Sequence, residues 1–472
     1  MQNEVADHPK QQYESPLTAR YASKEMSHLF SPHFKHSTWR KLWVALAEGE
    51  KELGLEISQE QINELSAHTE SIDFDLAGQY ESQLHHDVMA HIHAYGDQCP
   101  TARPIIHLGA TSCFVTDNTD AIQIRQALSL IIARLQTVIR NLRDFSLKYK
   151  DQACLGFTHF QPAQLTTVGK RATLWVQDLF MDLDELIYRR DHLRFLGVKG
   201  TTGTQASFLS LFNGDHSKVE QLDIIVAKKM GFSRIFPVTG QTYTRKQDTQ
   251  VLHTLADLAA SCHKFATDLR LLAGLKELEE PFESKQIGSS AMPYKRNPML
   301  SERICSLSRF LISLSQNGTY THATQWLERS LDDSANRRLT LSESFLTADA
   351  LLILMERVTK GLVVNQAVIK KHIDNELPFM ATENILMQAV KKGGDRQTLH
   401  ERIRVHSQEA ADNVKKRGES NDLIERIAND SSFGLSLKEI IQLVDVSTFI
   451  GRSPQQVEEF FNKVTSHLEE PS

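Results

Sequence analysis

Long apolar runs are missing from this 472-residue sequence: no stretch approaches the roughly 18 uninterrupted apolar residues that a membrane span requires. An excess of cations is missing too. Lys and Arg number 53 against 59 Asp and Glu, a formal net charge of −6. That balance argues against broad nucleic-acid or membrane-surface binding, yet leaves room for a local basic pocket. The five cysteines (Cys99, Cys113, Cys154, Cys262 and Cys305) are odd in number and form no CxxC pair. A disulfide framework is therefore not expected, and a reducing compartment is. Met1 to Lys10 is polar, without an apolar h-region, so no secretory signal is expected and the cytoplasm is the expected location. Nucleotide-binding spacings are absent as well. Gly169-Lys170 is followed by Arg171 with Gln at position 164, and Gly200-Thr201-Thr202-Gly203-Thr204-Gln205 fits neither a Walker nor a Rossmann pattern. Nucleotide hydrolysis and dinucleotide redox chemistry thus lack support.

Prolines are few, 13 in all, and strand signals are sparse. What the sequence has instead is helical periodicity. Between Asp117 and Lys150, residues Ile122, Ile124, Leu128, Ile131, Leu135, Val138, Ile139 and Leu142 recur at helical spacing. Thr166–Leu196, Lys246–Leu278, Leu300–Ser315 and Leu339–Val363 repeat the pattern, and several long helices in succession predict an all-α bundle. Shorter amphipathic segments precede them (Thr38–Leu53, Ser58–Ala67), and shorter ones follow, broken at Pro378, Gly393–Gly394 and Gly418. The expected division is an N-terminal helical domain over 1–111, a long-helix domain over 112–364 and a C-terminal helical domain over 365–472.

Chemistry is concentrated in a few segments. Gly288-Ser289-Ser290-Ala291-Met292-Pro293-Tyr294-Lys295-Arg296-Asn297-Pro298 packs hydroxyls, prolines and two cations into one inter-helix loop, where exposed amides can form an anion nest. A solvated loop is the bland alternative, and the density of donors favours function. Gly156-Phe157-Thr158-His159-Phe160-Gln161-Pro162 sets His159 between aromatics just before a long helix, where a partly buried imidazole can serve as acid or base. A core histidine bonded to backbone is the alternative there. The run His85-His86-Asp87-Val88-Met89-Ala90-His91-Ile92-His93 invites a metal reading, but His86 has no partner at position 90 and no CxxC or glutamate completes a set. A His–Asp pair orienting an imidazole fits better. Glu328 to Arg338 is densely polar before an apolar helix, either a solvated helix start or an anion site built on arginine forks.

Together these motifs resemble a known family. Gly288–Pro298 resembles the serine-loop signature of the fumarase/aspartase superfamily, and its form Ser289-Ser290-Ala291-Met292-Pro293-Tyr294-Lys295-Arg296-Asn297-Pro298 resembles the adenylosuccinate lyase family. Arg20-Tyr21-Ala22-Ser23, His86–His91, Gly109-Ala110-Thr111-Ser112, Thr158-His159 and Asp332–Arg338 resemble the animal form of that family. The resemblance runs from about Arg20 past Arg452. It implies a three-domain, all-α fold and a homotetramer whose sites are each built from three subunits around a tetrameric helical core. It also implies fumarate elimination from adenylosuccinate, giving AMP, and from SAICAR, giving AICAR, without metal or organic cofactor. Nucleic acid and membrane are not expected partners.

Residue by residue, the resemblance assigns Ser289 as general base, with Ser290 the lesser candidate, and His159 as general acid. Lys295 and Asn297 would neighbour the developing charge, and His86 would be a second histidine near the substrate phosphate. Thr111 and Ser112 would meet the succinyl carboxylates. Arg20, Tyr21, Asp87, Thr158, Gln241, Arg303, Arg329, Ser334 and Arg338 would make the other contacts. One position departs from the family pattern: His85 stands where an arginine is expected before the His–Asp pair. An arginine stays charged, whereas an exposed histidine is largely neutral above about pH 6.5. The phosphate contact is therefore expected to be weaker or more pH-sensitive than with arginine. KM curves between pH 6 and 8 for this chain and its His85→Arg variant should diverge; parallel curves would refute the expectation. Rival readings are another lyase of the superfamily, or a non-catalytic member such as a lens crystallin.

Overall fold

The computed structural model describes residues 13–283 and 291–464. Its first part is a set of shorter helices: α1 (Lys24–Leu29), α2 (Pro32–Glu52), α3 (Gln59–Ala67), α4 (Phe74–Leu84) and α5 (Asp87–Gln98). Their starts are written in the sequence. Ser31 caps α2, with Pro32 at the first helical position, and Ser58 with Gln61 forms a capping box at α3.

The long elements follow. They are α6 (Ser112–Lys148), strands β1 (Ala153–Thr158) and β2 (Gln161–Thr167), α7 (Val168–His192), the shorter α8 (Ala206–Leu211) and α9 (His216–Lys229), then α10 (Lys246–Gly274), β3 (Leu278–Glu279), α11 (Met299–Thr324), α12 (Asp333–Lys360) and β4 (Val363–Val364). Helix α10 packs along α11, α6 along α7, and α12 against both α6 and α11. Every apolar position of the Ile122–Leu142 periodicity is buried. Helix α12 is buried on all sides from Ser344 to Leu352, which marks it as an inner member of the bundle. The remainder comprises α13 (Gln366–Met380), α14 (Thr382–Lys391), α15 (Arg396–Asp412), α16 (Leu423–Asn429), α17 (Leu437–Leu443) and α18 (Ser453–Val464). Residues from Ala381 to Ile440 form a second apolar cluster apart from the main core.

Several expected boundaries shift. The helices expected to reach Leu278 and Val363 stop at Gly274 and Lys360, because those end residues pair instead as β3 with β4. Thr166 belongs to strand β2 rather than to α7, whose cap is Thr167. Pro378 lies inside the last turn of α13, not at a break. There the missing N–H costs one hydrogen bond near a helix end, and the helix continues to Met380.

The histidine run disperses. His91 lies in the core of the first part and stacks on His36, ring centroids 3.8 Å apart, with Trp39 edge-on to both. Neither Nδ1 has a hydrogen-bond partner among the described residues. Burial, reinforced by the other ring and by Lys35 and Arg40, pushes His36 down to about 3; burial, then Arg40 and Lys35, pushes His91 down to about 4. Both rings are thus neutral when folded and protonate near pH 6.5 when unfolded. Their contribution is complete above pH 6.5 and is lost as pH falls toward 4 and 3. Between pH 6.5 and 5 the loss is roughly 2 kcal/mol per ring. Glu50 acts oppositely: burial raises its carboxyl to about 8, so its contribution is lost as pH rises from 4.5. Urea midpoints at pH 7 and 5, at one protein concentration, should fall further for the natural chain than for His36→Phe. Equal falls would show that the ring pair does not set the acid limit.

Candidate active site

Three helix N-termini converge. His86 caps α5, its Nδ1 accepting the Met89 amide at 3.3 Å, and its Nε2 faces Ser112 Oγ at 3.5 Å. An imidazole that accepts at Nδ1 carries its proton on Nε2, so His86 presents an N–H donor to whatever lies beside Ser112. Ser112 opens α6, and the side chain of its N-cap residue Thr111 makes no capping bond to the helix. Thr111 Oγ1 instead faces Gln241 Nε2 at 3.5 Å. Helix α12 likewise begins without a side-chain cap, and it carries Ser334 and Arg338 in its first turns. Arg338 reaches back to Asp87 of α5 at 3.4 Å. Helix N-termini concentrate positive dipole and unpaired amides, so three meeting beside arginines make a site for a polyanion.

Close backbone contacts hold this cluster. Gly240 lies so near Glu328 that an added Cβ would fall 2.5 Å from its carbonyl oxygen. The next amide, of Gln241, donates to that same oxygen at 3.0 Å. Only glycine permits the approach that sets Gln241 beside Arg329. Thr111 and Ser112 are fed by a loop in which His107 and Gly109 both adopt left-handed φ, of 66° and 69°. Trp43 Nε1 donates to His107 Nδ1 at 2.9 Å and anchors that loop. Burial, then the nearby His86, pushes His107 down to about 4, so its ring stays neutral. Cys113 sits between Gln241 Oε1 (3.7 Å) and Arg329 Nη1 (3.5 Å), and burial raises its thiol to about 12. It therefore remains a thiol that donates to the amide and accepts from the guanidinium.

The cluster thus unites His86, Asp87, Thr111, Ser112, Gln241, Arg329, Ser334 and Arg338. The other sequence-derived residues lie elsewhere in the chain. Arg20 and Tyr21 stand in a short turn before α1, with the Arg303 guanidinium 5.5 Å from the Tyr21 ring. Lys295 is exposed and Asn297 half-buried in the loop before α11; Ser289 and Ser290 lie outside the described residues. His85 ends α4 in a left-handed conformation, φ 51°, and is exposed.

His159 corrects the sequence reading. It is not a partly buried ring at a helix start but an exposed residue at the tip of the β1–β2 hairpin. Thr158 pairs with Gln161, so His159 and Phe160 form a two-residue turn with φ of 53° and 57°. Such a turn requires positive φ at both positions, which glycine or asparagine usually supplies. Histidine and phenylalanine there carry local strain of a kind that clusters at functional sites. The expected His86–Asp87 pairing is also replaced. Their nearest approach is 3.9 Å, because Asp87 caps its own helix through Val88 and turns its other oxygen to Arg338. The helix cap orients the imidazole, and the carboxylate orients an arginine.

Sequence reasoning missed Cys113, Asp333, Arg245 and the loop anchor His107. Asp333 lies inside a motif already singled out and Cys113 directly follows one, so adjacency to Ser334 and Ser112 was the available signal.

Among known sequences, the family described as Lyase matches residues 40–310, and the one described as Adenylosuccinate lyase C-terminus matches residues 378–460. The chain is 56% identical to the adenylosuccinate lyase of Schizosaccharomyces pombe, covering 97% of this chain and 96% of that one. The chain belongs to the adenylosuccinate lyase family. Animal members are similar too: that of Schistosoma mansoni is 48% identical, over 96% of this chain and 95% of its own. The family's fold extends to more distant proteins. The crystal structure of a 3-carboxy-cis,cis-muconate lactonizing enzyme from Pseudomonas putida superposes with a TM-score of 0.82 at 21% identity, covering 94% of this chain and 98% of that one. Among the described residues no helix is long and apolar enough to cross a membrane.

Proposed function

We propose that this chain eliminates fumarate from adenylosuccinate, leaving AMP, and from SAICAR, leaving AICAR, in purine nucleotide synthesis in the cytoplasm. The observation that carries the reading is the full-length likeness to adenylosuccinate lyases at more than half identity. The converging helix N-termini agree with it, since both substrates bear a phosphate and two carboxylates.

The elimination begins with a weakly acidic proton beside a carboxylate. Its removal leaves a dianionic aci-carboxylate that needs fixed donors and cations, which can be the largest catalytic term. Ser289 takes that proton in this scheme, with Lys295 and Asn297 beside the developing charge. The departing nitrogen leaves once protonated, and His159 supplies that proton. His86, donating from Nε2, stands near the substrate phosphate, and Thr111 and Ser112 meet the succinyl carboxylates. Arg303, Arg329, Ser334 and Arg338 surround phosphate and ribose, with Arg20, Tyr21, Thr158 and Gln241 as further contacts.

The same reading makes the enzyme a homotetramer with shared sites. Two features support it. The His159 tip follows the C-terminal end of the 37-residue α6, whereas the His86 cluster lies at that helix's N-terminal end, about 55 Å of helix away. Helix α7 also exposes Leu174, Met181 and Tyr188, spaced by seven and 48–66% accessible, as an apolar stripe that a partner subunit would cover. A three-domain division at 111/112 and 364/365 fits the start of α6, the end of β4 and the separate Ala381–Ile440 cluster. Purified protein should release fumarate from both succinylated nucleotides, and not from argininosuccinate or malate. Both nucleotides left intact would overturn the proposal.

A further inference from the structure

Beneath the converging helix ends lies a lattice of buried charges. Arg245 forks onto Asp117 at 2.9 and 3.2 Å and donates through Nε to Asp333 Oδ2 at 2.7 Å. Arg337 binds Asp248 at 2.7 Å, Asp120 at 2.8 Å and the Tyr243 hydroxyl at 2.8 Å, and that hydroxyl donates to Asp248 at 2.6 Å. The lattice ties the N-terminal turns of α6, α10 and α12 together. Its four carboxylates meet two buried guanidinium groups. A third, Arg329, stands at the rim, its side chain 22% exposed.

Asp333 is the joint between lattice and rim. It is the first residue of α12 and almost fully buried. Its Oδ2 is committed to Arg245, while Oδ1 has no hydrogen-bond partner among the described residues and lies 3.6 Å from Arg329 Nη2. A buried carboxylate oxygen without a hydrogen bond is costly and rare, so its presence calls for a reason. Among the described residues, Arg329 has only this ionic contact and the weak bond to the Cys113 thiol. Its guanidinium is aimed by charge but not saturated by acceptors, which leaves its fork for an anionic ligand.

We propose that Asp333 is a positioning residue that aims Arg329 into the anion site, with Arg245 and the lattice behind it fixing Asp333. This rests on the reading of Arg329 as a substrate contact. Asp333 touches no substrate; it acts through the arginine.

The test is a double-mutant cycle on the assembled enzyme with adenylosuccinate. Asp333→Asn keeps the shape and the Arg245 contact but removes the charge that draws Arg329. It should raise KM about tenfold while kcat falls less than threefold. Arg329→Ala should raise KM at least as much, and adding Asp333→Asn to it should change KM less than twofold. Independent, multiplying effects on KM would overturn the proposal, since a merely structural loss would add in either background. If Asp333→Asn does not assemble, Arg245→Lys takes its place, keeping the buried charge but losing the Nε–H that holds Asp333 Oδ2. It must show the same non-additivity with Arg329→Ala. A normal KM in Arg329→Ala alone would overturn the substrate assignment and, with it, the proposal.

Discussion

Replacing His159 by alanine should lower kcat for adenylosuccinate at least a hundredfold while leaving the fold and assembly in place. General acid catalysis is typically worth 10²–10⁴ in rate, and a purine amine or carboxamide nitrogen is a poor leaving group until it is protonated. The effect belongs in kcat rather than KM, because the proton moves in the transition state. The fold should tolerate the loss because the ring is exposed at a hairpin tip, where substitutions usually shift stability by no more than about 0.5 kcal/mol. Left-handed φ at position 159 complicates alanine alone, so His159→Asn is the better control. Asparagine accepts that backbone conformation and cannot act as an acid. Both variants should be equally slow, with the thermal midpoint of His159→Asn unchanged. Ser289→Ala should be comparably slow if Ser289 is the base. Near-full activity in the His159 variants would leave the hairpin without a catalytic role.

The parts of the molecule that were legible in the sequence are those governed by one period over many residues. The Ile124–Leu142 pattern marks a buried face of α6 because its members share one side of a long helix. The β1–β2 hairpin was not legible. Its strands hold Gly156 and Pro162, its pairing slips between Leu155 and Phe157, and its turn lacks the usual Asn-Gly. The charge lattice was hidden for a different reason. Periodicity assigns Asp and Arg to water, so Asp117, Asp120, Asp248, Arg245 and Arg337 each looked like surface. Only the three-dimensional meeting of α6, α10 and α12 lets these charges pair with one another inside. The motif residues were found by resemblance, but the fact that His86, Ser112 and Ser334 all sit at helix N-termini is a property of packing. It gives the physical reason such short polar motifs can gather an anion.

Separation of the site residues has a second large consequence. If each site takes its hairpin tip from one subunit and its His86 cluster from another, two inactive variants should restore one another. His159→Ala and His86→Ala, unfolded together in equal amounts and refolded, should recover about a quarter of native activity, because random assembly of a symmetric tetramer gives one site in four both native residues. Each variant refolded alone should stay near its own low rate. Placement motivates the premise: His159 lies at an exposed hairpin tip that follows the C-terminal end of the 37-residue α6, and His86 lies beside Ser112 at that helix's N-terminal end, about 55 Å of helix away. Leu174, Met181 and Tyr188 on α7, and Phe310 and Tyr320 on α11, are also exposed. Native-like assembly of the mixture without recovered activity would mean that each site draws both histidines from one chain. The hairpin would then have to swing onto its own subunit's helix ends, and the tip's strained turn would serve as a hinge rather than as a hand reaching across an interface.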